Sequence, residues 1–279
     1  MHFLLLIAAL TIAIAIRLLP TSSSQGWSDR WQRAIWRFAL PPLLLIATCV
    51  AIVVMGPRGR MSGHWLGWLS HDLSLLLLLA IAAIVAGQVW RGWRTLRQVQ
   101  SYPLCRVGQQ SGRIVPIDLP FAAQVGFWQP ELAVSRGLME ELSPEHLDAV
   151  LVHERAHLYY RDTFWFFGLG CLRQLTSWLP ESDRLWQELI TLRELRADAR
   201  AVAECDRLML AEALFQVASA PLQFEGVVAA FGTAGGTERL QERIEALLAG
   251  DSTAALVVRM NWSWLWVTVL PLLAIPFHS

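Results

Sequence analysis

Residues 143–158, SPEHLDAVLVHERAHL, carry the start signal and the periodicity of an α-helix. Ser143 suits the N-cap, Pro144 falls at the first helical position, where its missing N–H costs nothing, and Glu145 brings negative charge to the first turn. Leu147, Val150, Leu151 and Leu158 recur near the 3.6-residue period. On that helix His153 and His157 project from one face, one turn apart. Two imidazoles so placed can chelate one Zn²⁺, and Glu154, beside the first, can reach an attacking water as general base. A surface helix that merely contains two histidines and a glutamate has the same local pattern, so the decision rests on what lies elsewhere.

A zinc ion with three protein ligands and one open position needs a third ligand. Residues 193–198, RELRAD, fall in a predicted helix from Leu185 to about Leu210. Glu194 can complete a His₂Glu set, and Asp198, one turn on along the same face, can accept a hydrogen bond from a ligand imidazole. Asp162, at the end of the first helix, can do the same. Alone, Glu194 and Asp198 would read as solvated charges paired with Arg193, Arg196 and Arg200. Together with the upstream helix they favour the metal reading. Tyr159, Tyr160 or an arginine of the Glu194 helix could steady an oxyanion, but each reads equally as packing or surface, and none is chosen. His2, His64, His71, His146 and His278 read as surface or interface residues. Cys49, Cys105, Cys171 and Cys205 form no C-x-x-C pair and no regular spacing, so neither a disulfide framework nor a cysteine metal site is expected.

Outward from this centre the chain turns apolar. Hydrophobic residues make up 54% and charged residues 16% of the 279, and the apolar ones are blocked into runs, which points to lipid. The formal net charge of +0 gives no electrostatic reason to expect nucleic acid. All 23 basic residues are arginine; no mechanism attaches to that. Against a requirement of about 20 mostly apolar residues, spans are expected at about 3–19, 38–55 and 73–90, with a fourth in 252–279 whose apolar run begins near Leu256. The first lacks a basic stretch ahead of its apolar core and a small-residue cleavage site, so it reads as a retained span. Trp36, Trp65, Trp68, Trp90 and Trp93 lie at span ends, as interfacial anchors do, and Trp262, Trp264 and Trp266 read as a lipid-facing belt. Arginines crowd the segments after spans one and three, against only Arg58 and Arg60 between spans two and three. That bias predicts an N-terminus outside and a cytoplasmic segment over 91–251, in a bacterial inner membrane.

Residues 91–251 are polar enough to form a water-facing domain. Arg113–Leu119 and Val125–Val134, rich in β-branched and aromatic residues broken by Pro and Gly, predict a hairpin or small sheet with edge positions. An amphipathic helix is expected from Thr237 to Leu248. Thr163–Leu179 is nearly apolar but short and contains Arg173, and reads as a buried or interfacial helix. Were it a span, the two halves of the metal site would face opposite sides of the membrane.

His153-Glu154-Arg155-Ala156-His157, then Asp162, then E-x-x-A-D from Glu194 to Asp198, resemble the BlaR/MecR-type integral-membrane zinc metallopeptidases. Pro120-Phe121, Gly126-Phe127-Trp128-Gln129-Pro130, Leu138, Leu142-Ser143-Pro144-Glu145, Val150-Leu151 and Arg243-Ile244 are similar to the same family. The resemblance implies four transmembrane helices with an inserted α+β, gluzincin-like domain. It implies His153, His157 and Glu194 as Zn²⁺ ligands, Glu154 as base, and Asp198 in support. The expected partners are a protein or peptide substrate (a transcriptional repressor in a signalling pathway is one such), membrane lipid and a second copy of the chain, with no direct nucleic acid. The best-known members carry a sensor after the fourth span, whereas the sequence stops at Ser279, so β-lactam sensing is not expected. Membrane quality-control proteases of the HtpX type share the two motifs but usually separate them by two clear spans. A catalytically silent zinc scaffold is the third reading, and the intact Glu154 argues against it.

Overall fold

A computed structural model describes residues 2–20, 26–57, 64–219, 236–250 and 261–277. Helices dominate: α1 (His2–Arg17), α2 (Trp27–Met55), α3 (His64–Gln100), α4 (Arg136–Glu141), α5 (Pro144–Tyr160), α6 (Asp162–Thr176), α7 (Ser182–Ala201), α8 (Arg207–Ser219), α9 (Gly236–Ala249) and α10 (Leu265–Val269), the last running into a 3₁₀ segment, Leu270–Phe277. Strands β1 (Leu104–Val107), β2 (Gln110–Val115), β3 (Ala122–Val125) and β4 (Glu131–Ser135) form one sheet. The chain divides into two compact units. The first takes 1–89, 168–189 and 259–279; the second takes 90–167 and 190–258.

In the first unit α2 is the central element and is mostly buried, whereas the apolar face of α3 is almost wholly exposed, from Leu73 through Leu79 to Val89. A run of exposed leucines of that length is unstable in water and suited to lipid. Trp27–Met55 and Gly67–Gln100 are long and apolar enough to cross a membrane; His2–Arg17 and Leu265–Pro276 are shorter apolar helices. Residues 252–260, in the expected fourth span, and Arg58, Arg60 and His278 lie outside the described residues.

Both long helices outrun their expected bounds. The chain from Trp27 to Arg37 contains no Gly or Pro and has Asp29 in its first turn, so α2 begins well before Phe38. α3 likewise runs on past Trp90, through Gly92, to Gln100 and stops shortly before Pro103. Pro41 and Pro42 sit inside α2 and cannot donate to the carbonyls of Arg37 and Phe38, one turn earlier. The buried Arg17 guanidinium donates from Nη2 to the Phe38 carbonyl at 3.1 Å. In return Arg37 Nη2 donates to the Arg17 carbonyl at 2.6 Å, at the end of α1. The prolines thus create an acceptor that ties α1 to α2. Earlier on α2, the Gln32 amide both donates to and accepts from the Asn261 backbone.

The second unit is built on a sheet of order β1-β2-β4-β3. β1–β2 and β3–β4 are antiparallel, and β2–β4 is parallel, in register at Arg113↔Ala133 and Val115↔Ser135. Of the two expected forms, a hairpin or a small sheet, the chain takes the sheet. Two hairpins joined through their inner strands leave β1 and β3 as edges. Alternation along β4 sends Leu132 and Val134 into a core with Leu138, Val150, Leu151 and Ala213. Ala133 faces the opposite side with Val99, Val115 and Val125. Ser135 ends β4 and starts α4, its hydroxyl accepting from the Leu138 and Phe121 amides.

The start of α5 is as the sequence predicts: Ser143 caps it by accepting from the His146 amide, and Pro144 opens it. Arg161 closes it in the left-handed conformation, which turns the chain into α6. The helix expected from Leu185 to Leu210 is instead two. α7 ends at Ala201, and Asp206 starts α8 by accepting from the Leu208 and Met209 amides. α9 lies where the amphipathic helix was expected. At 15 residues α6 is too short to cross a bilayer.

Candidate metal centre

α5 buries His153, Glu154, Ala156 and His157 on one face, and α7 presents Glu194 and Asp198 to it. His153 Nε2 and His157 Nε2 are 3.1 Å apart. Glu194 Oε2 lies 3.3 Å from the first and 3.6 Å from the second. Thus one atom from each of three side chains converges on a single point.

The other ring nitrogens are held from behind. His157 Nδ1 is 2.8 Å from Asp162 Oδ2, and His153 Nδ1 is 2.8 Å from Asp198 Oδ1. An ionised carboxylate can only accept, so the proton that stays on each ring when a metal binds is the one on Nδ1, and each Nε2 can then turn a lone pair inward. Two such lone pairs and a carboxylate oxygen sit this close only with a cation, a proton or a metal ion, among them. Bonds of about 2.0–2.1 Å at tetrahedral angles put ligand atoms about 3.3 Å apart. The three observed separations bracket that value, so His153, His157 and Glu194 fit a metal ion and could hold one.

Each carboxylate is gripped in turn by an arginine. Arg243, on α9, holds Asp198 through Nε and Nη2 at 2.7 and 2.8 Å. Arg196 binds Asp162, and its guanidinium lies 4.1 Å above the Tyr160 ring. Arg193 bonds Glu194 Oε1 from Nη2 and Nε at 2.6 and 2.9 Å, while Oε2, which also lies 3.4 Å from Arg243 Nη1, faces the cluster. Arg193 itself rests on the Phe166 ring at 4.7 Å. Arg193, Arg196 and Arg243 therefore form an outer layer, a role that the sequence alone does not assign them; for Arg243 the signal was its place in the family-like Arg243-Ile244 pair on an amphipathic helix. Tyr159 is exposed beneath the Arg200 guanidinium, 3.6 Å above its ring.

The electrostatics follow from this layering. Burial would lower the His157 pKa, but the Glu194 charge and hydrogen bonds to Asp162 and Glu194 outweigh it and push it up to about 10. His153 is likewise raised, the Asp198 carboxylate overcoming burial. Burial would raise Glu194, yet Arg193 and His157 hold it well below the usual carboxylate range. Asp198 is lowered by Arg243 against the same burial penalty. Glu154 differs. Its carboxylate is buried beside the cluster, and desolvation raises its pKa, as suits a group that must accept a proton.

A family profile, BlaR1 peptidase M56, matches residues 59–247 and so spans every residue of the metal centre and its arginine layer. The chain belongs to the BlaR1 peptidase M56 family. No curated protein and no solved structure matches the chain. As an M56 peptidase with two span-length apolar helices it is a membrane protein of a metallopeptidase family.

Among the described side chains, His2, His71 and His146 lie outside the cluster. His2 is buried in α1 rather than at a surface, because α1 packs against α2. His146 bridges Ser143 and Glu212, linking α5 to α8. The four cysteines are free.

Proposed function

We propose that this M56 peptidase is a zinc-dependent endopeptidase of the gluzincin type, with the HExxH segment His153–His157, that cleaves a cytoplasmic or membrane-proximal protein. A repressor in a signalling pathway is one such substrate. The convergence of His153 Nε2, His157 Nε2 and Glu194 Oε2 at 3.1–3.6 Å beside a buried, unligating Glu154 carries this reading. Zn²⁺ held there would supply Lewis acidity toward a substrate carbonyl and lower the pKa of water toward neutrality. Glu154 takes the proton of the attacking water and returns it to the leaving amine. Asp162 and Asp198 fix the imidazole tautomers. β3 is an edge strand beside α5, its Gln124 amide donating to the Glu154 carbonyl. An extended peptide can add to such an edge and pass the site.

The topology that goes with this reading has four crossings, both chain ends outside and the zinc domain in the cytoplasm of a bacterial inner membrane. Its support is the arginine bias after the first and third apolar runs.

Metal analysis and substrate trapping test the chemistry. Wild type should carry one zinc per chain, and His157→Ala should lose it. Glu154→Gln should keep the zinc, lose proteolysis and retain uncleaved substrate. Equal zinc in wild type and His157→Ala removes the ligand set; full proteolysis by Glu154→Gln removes the base. Zinc retained with no proteolysis by the wild type leaves the silent scaffold.

A further inference from the structure

The second unit exposes aromatic surface that neither its core nor its metal centre uses. Phe127 lies 5.0 Å from Phe164 and 4.8 Å from Phe167, centroid to centroid, so the segment after β3 packs on the first turns of α6. Trp128 continues the cluster at 5.2 Å from Phe164, and Trp165 at 5.4 Å from the same ring. The phenylalanines anchor the packing, but Trp128 is 72% and Trp165 52% exposed.

The same segment touches α3. A Cβ at Gly126 would meet the Leu96 side chain at 3.4 Å, one turn beyond Trp93 on α3. Trp90 and Trp93 lie 5.1 Å apart and are 58% and 44% exposed. They stand where the apolar run of α3 gives way to Arg91, Arg94 and Arg97, and Arg97 lies 4.6 Å above the Trp93 ring. Two exposed tryptophans thus follow the apolar run of α3, and two more belong to an aromatic cluster whose Gly126 abuts α3 one turn further on.

We propose that residues 126–130 and the first turn of α6 dock on the bilayer that α3 crosses, with Trp128 and Trp165 in its headgroup–acyl boundary. Continuity carries the argument. The surface adjoins the end of the apolar run on α3, and tryptophan favours the interface because its ring is apolar while its N–H can still be hydrated. Charge agrees with it, since Arg91, Arg94 and Arg97 suit anionic lipid phosphates near the surface. β3 leads directly into the docked segment, so docking would hold that edge strand and Glu154 beside the membrane. The inference concerns the surface alone and stands whether or not the centre cleaves peptides.

Fluorescence quenching in nanodiscs tests it on the full chain. Single cysteines at 128 or 165, in a background without native cysteines, are labelled with an environment-sensitive dye. Nanodiscs of phosphatidylcholine and phosphatidylglycerol carry a nitroxide high on the acyl chain. A single cysteine at position 76, on the exposed apolar face of α3, is the lipid standard, and a variant that keeps Cys105 alone, exposed on the other edge strand, is the aqueous one. Labels at 128 and 165 should dim about twofold or more with the nitroxide, as at 76, and resist aqueous iodide. Labels that respond to iodide like Cys105 overturn the proposal. So do labels shielded from both quenchers, which would mean a protein contact. Both substitutions replace exposed rings, and retention of helical circular dichroism confirms the fold.

Discussion

Arg243 and Asp198 meet face to face, the guanidinium Nε and Nη2 lying 2.7 and 2.8 Å from the two carboxylate oxygens, so that α9 is fastened to α7 behind the metal centre. Asp198 passes this order to His153 at 2.8 Å. A side chain 45 residues further along the chain thereby sets the orientation of a proposed ligand.

Arg243→Lys should therefore weaken metal binding without abolishing it. An ammonium cannot reproduce two parallel hydrogen bonds, and loss of such an outer partner costs about 10–100-fold in metal affinity. Arg243→Met should in addition lower stability by about 3–5 kcal/mol, because the buried Asp198 is left without its counter-ion. Chelator competition reads the first effect and thermal unfolding the second. Wild-type affinity in Arg243→Lys would mean that the pair holds helices together and does nothing for the centre.

Protons should compete with the metal. With its pKa pushed up to about 10, metal-free His157 is protonated at neutral pH, and a metal must displace that proton to use Nε2. The sign follows: apparent affinity rises with pH up to about 10, by as much as about tenfold per unit for each proton displaced. Competition titrations between about pH 6.5 and 8.5 should show this slope. A flat profile would contradict the arrangement of His157 between Asp162 and Glu194.

Much of this arrangement was legible in the sequence, and the reason it stops where it does is physical. His153, His157, Glu194 and Asp198 are spaced by one helical turn within each pair, so local periodicity alone puts each pair on one face. The cap at Ser143 and the proline at 144 are equally local. The parallel pairing of β2 with β4 is not, because it joins two hairpins and no residue near either strand specifies it. Arg193, Arg196 and Arg243 were invisible for a related reason. An arginine beside acidic residues on a helix looks the same in sequence whether it faces water or closes over a buried carboxylate. The break between α7 and α8 carried a signal, Asp206, which the continuous apolar periodicity around it obscured.

Gly137 should resist any enlargement. It lies in the first turn of α4, donates to the Ile117 carbonyl at 3.0 Å, and a Cβ there would collide with the Asp118 backbone. Gly137→Ala should cost on the order of 3 kcal/mol or more, since backbone rather than a side chain must move. Gly168, inside α6 with nothing within 4 Å of the same construction, is the comparator. Gly168→Ala should be neutral or gain up to about 1 kcal/mol from helix propensity. Similar melting temperatures for the two variants would show that the turn before α4 is looser than described.

The tie between α1 and α2 yields a prediction about coupling rather than about either residue alone. Pro42 leaves the Phe38 carbonyl without its helical donor, and Arg17 supplies one from α1 at 3.1 Å. Arg17→Met strands that carbonyl but also removes a buried charge that lies near Arg37, so the sign of its own effect is not fixed by the geometry. In a Pro42→Ala background the new amide can bond to Phe38 within the helix, and Arg17 has less to satisfy. The four proteins of the cycle should therefore be non-additive, with a coupling of about 1 kcal/mol in favour of keeping Arg17 and Pro42 together. Unfolding in detergent, followed by circular dichroism on all four, measures it. Strict additivity would mean that Arg17 is held by its packing over the Phe38 ring, 5.2 Å from the centroid, and that the carbonyl is indifferent to it.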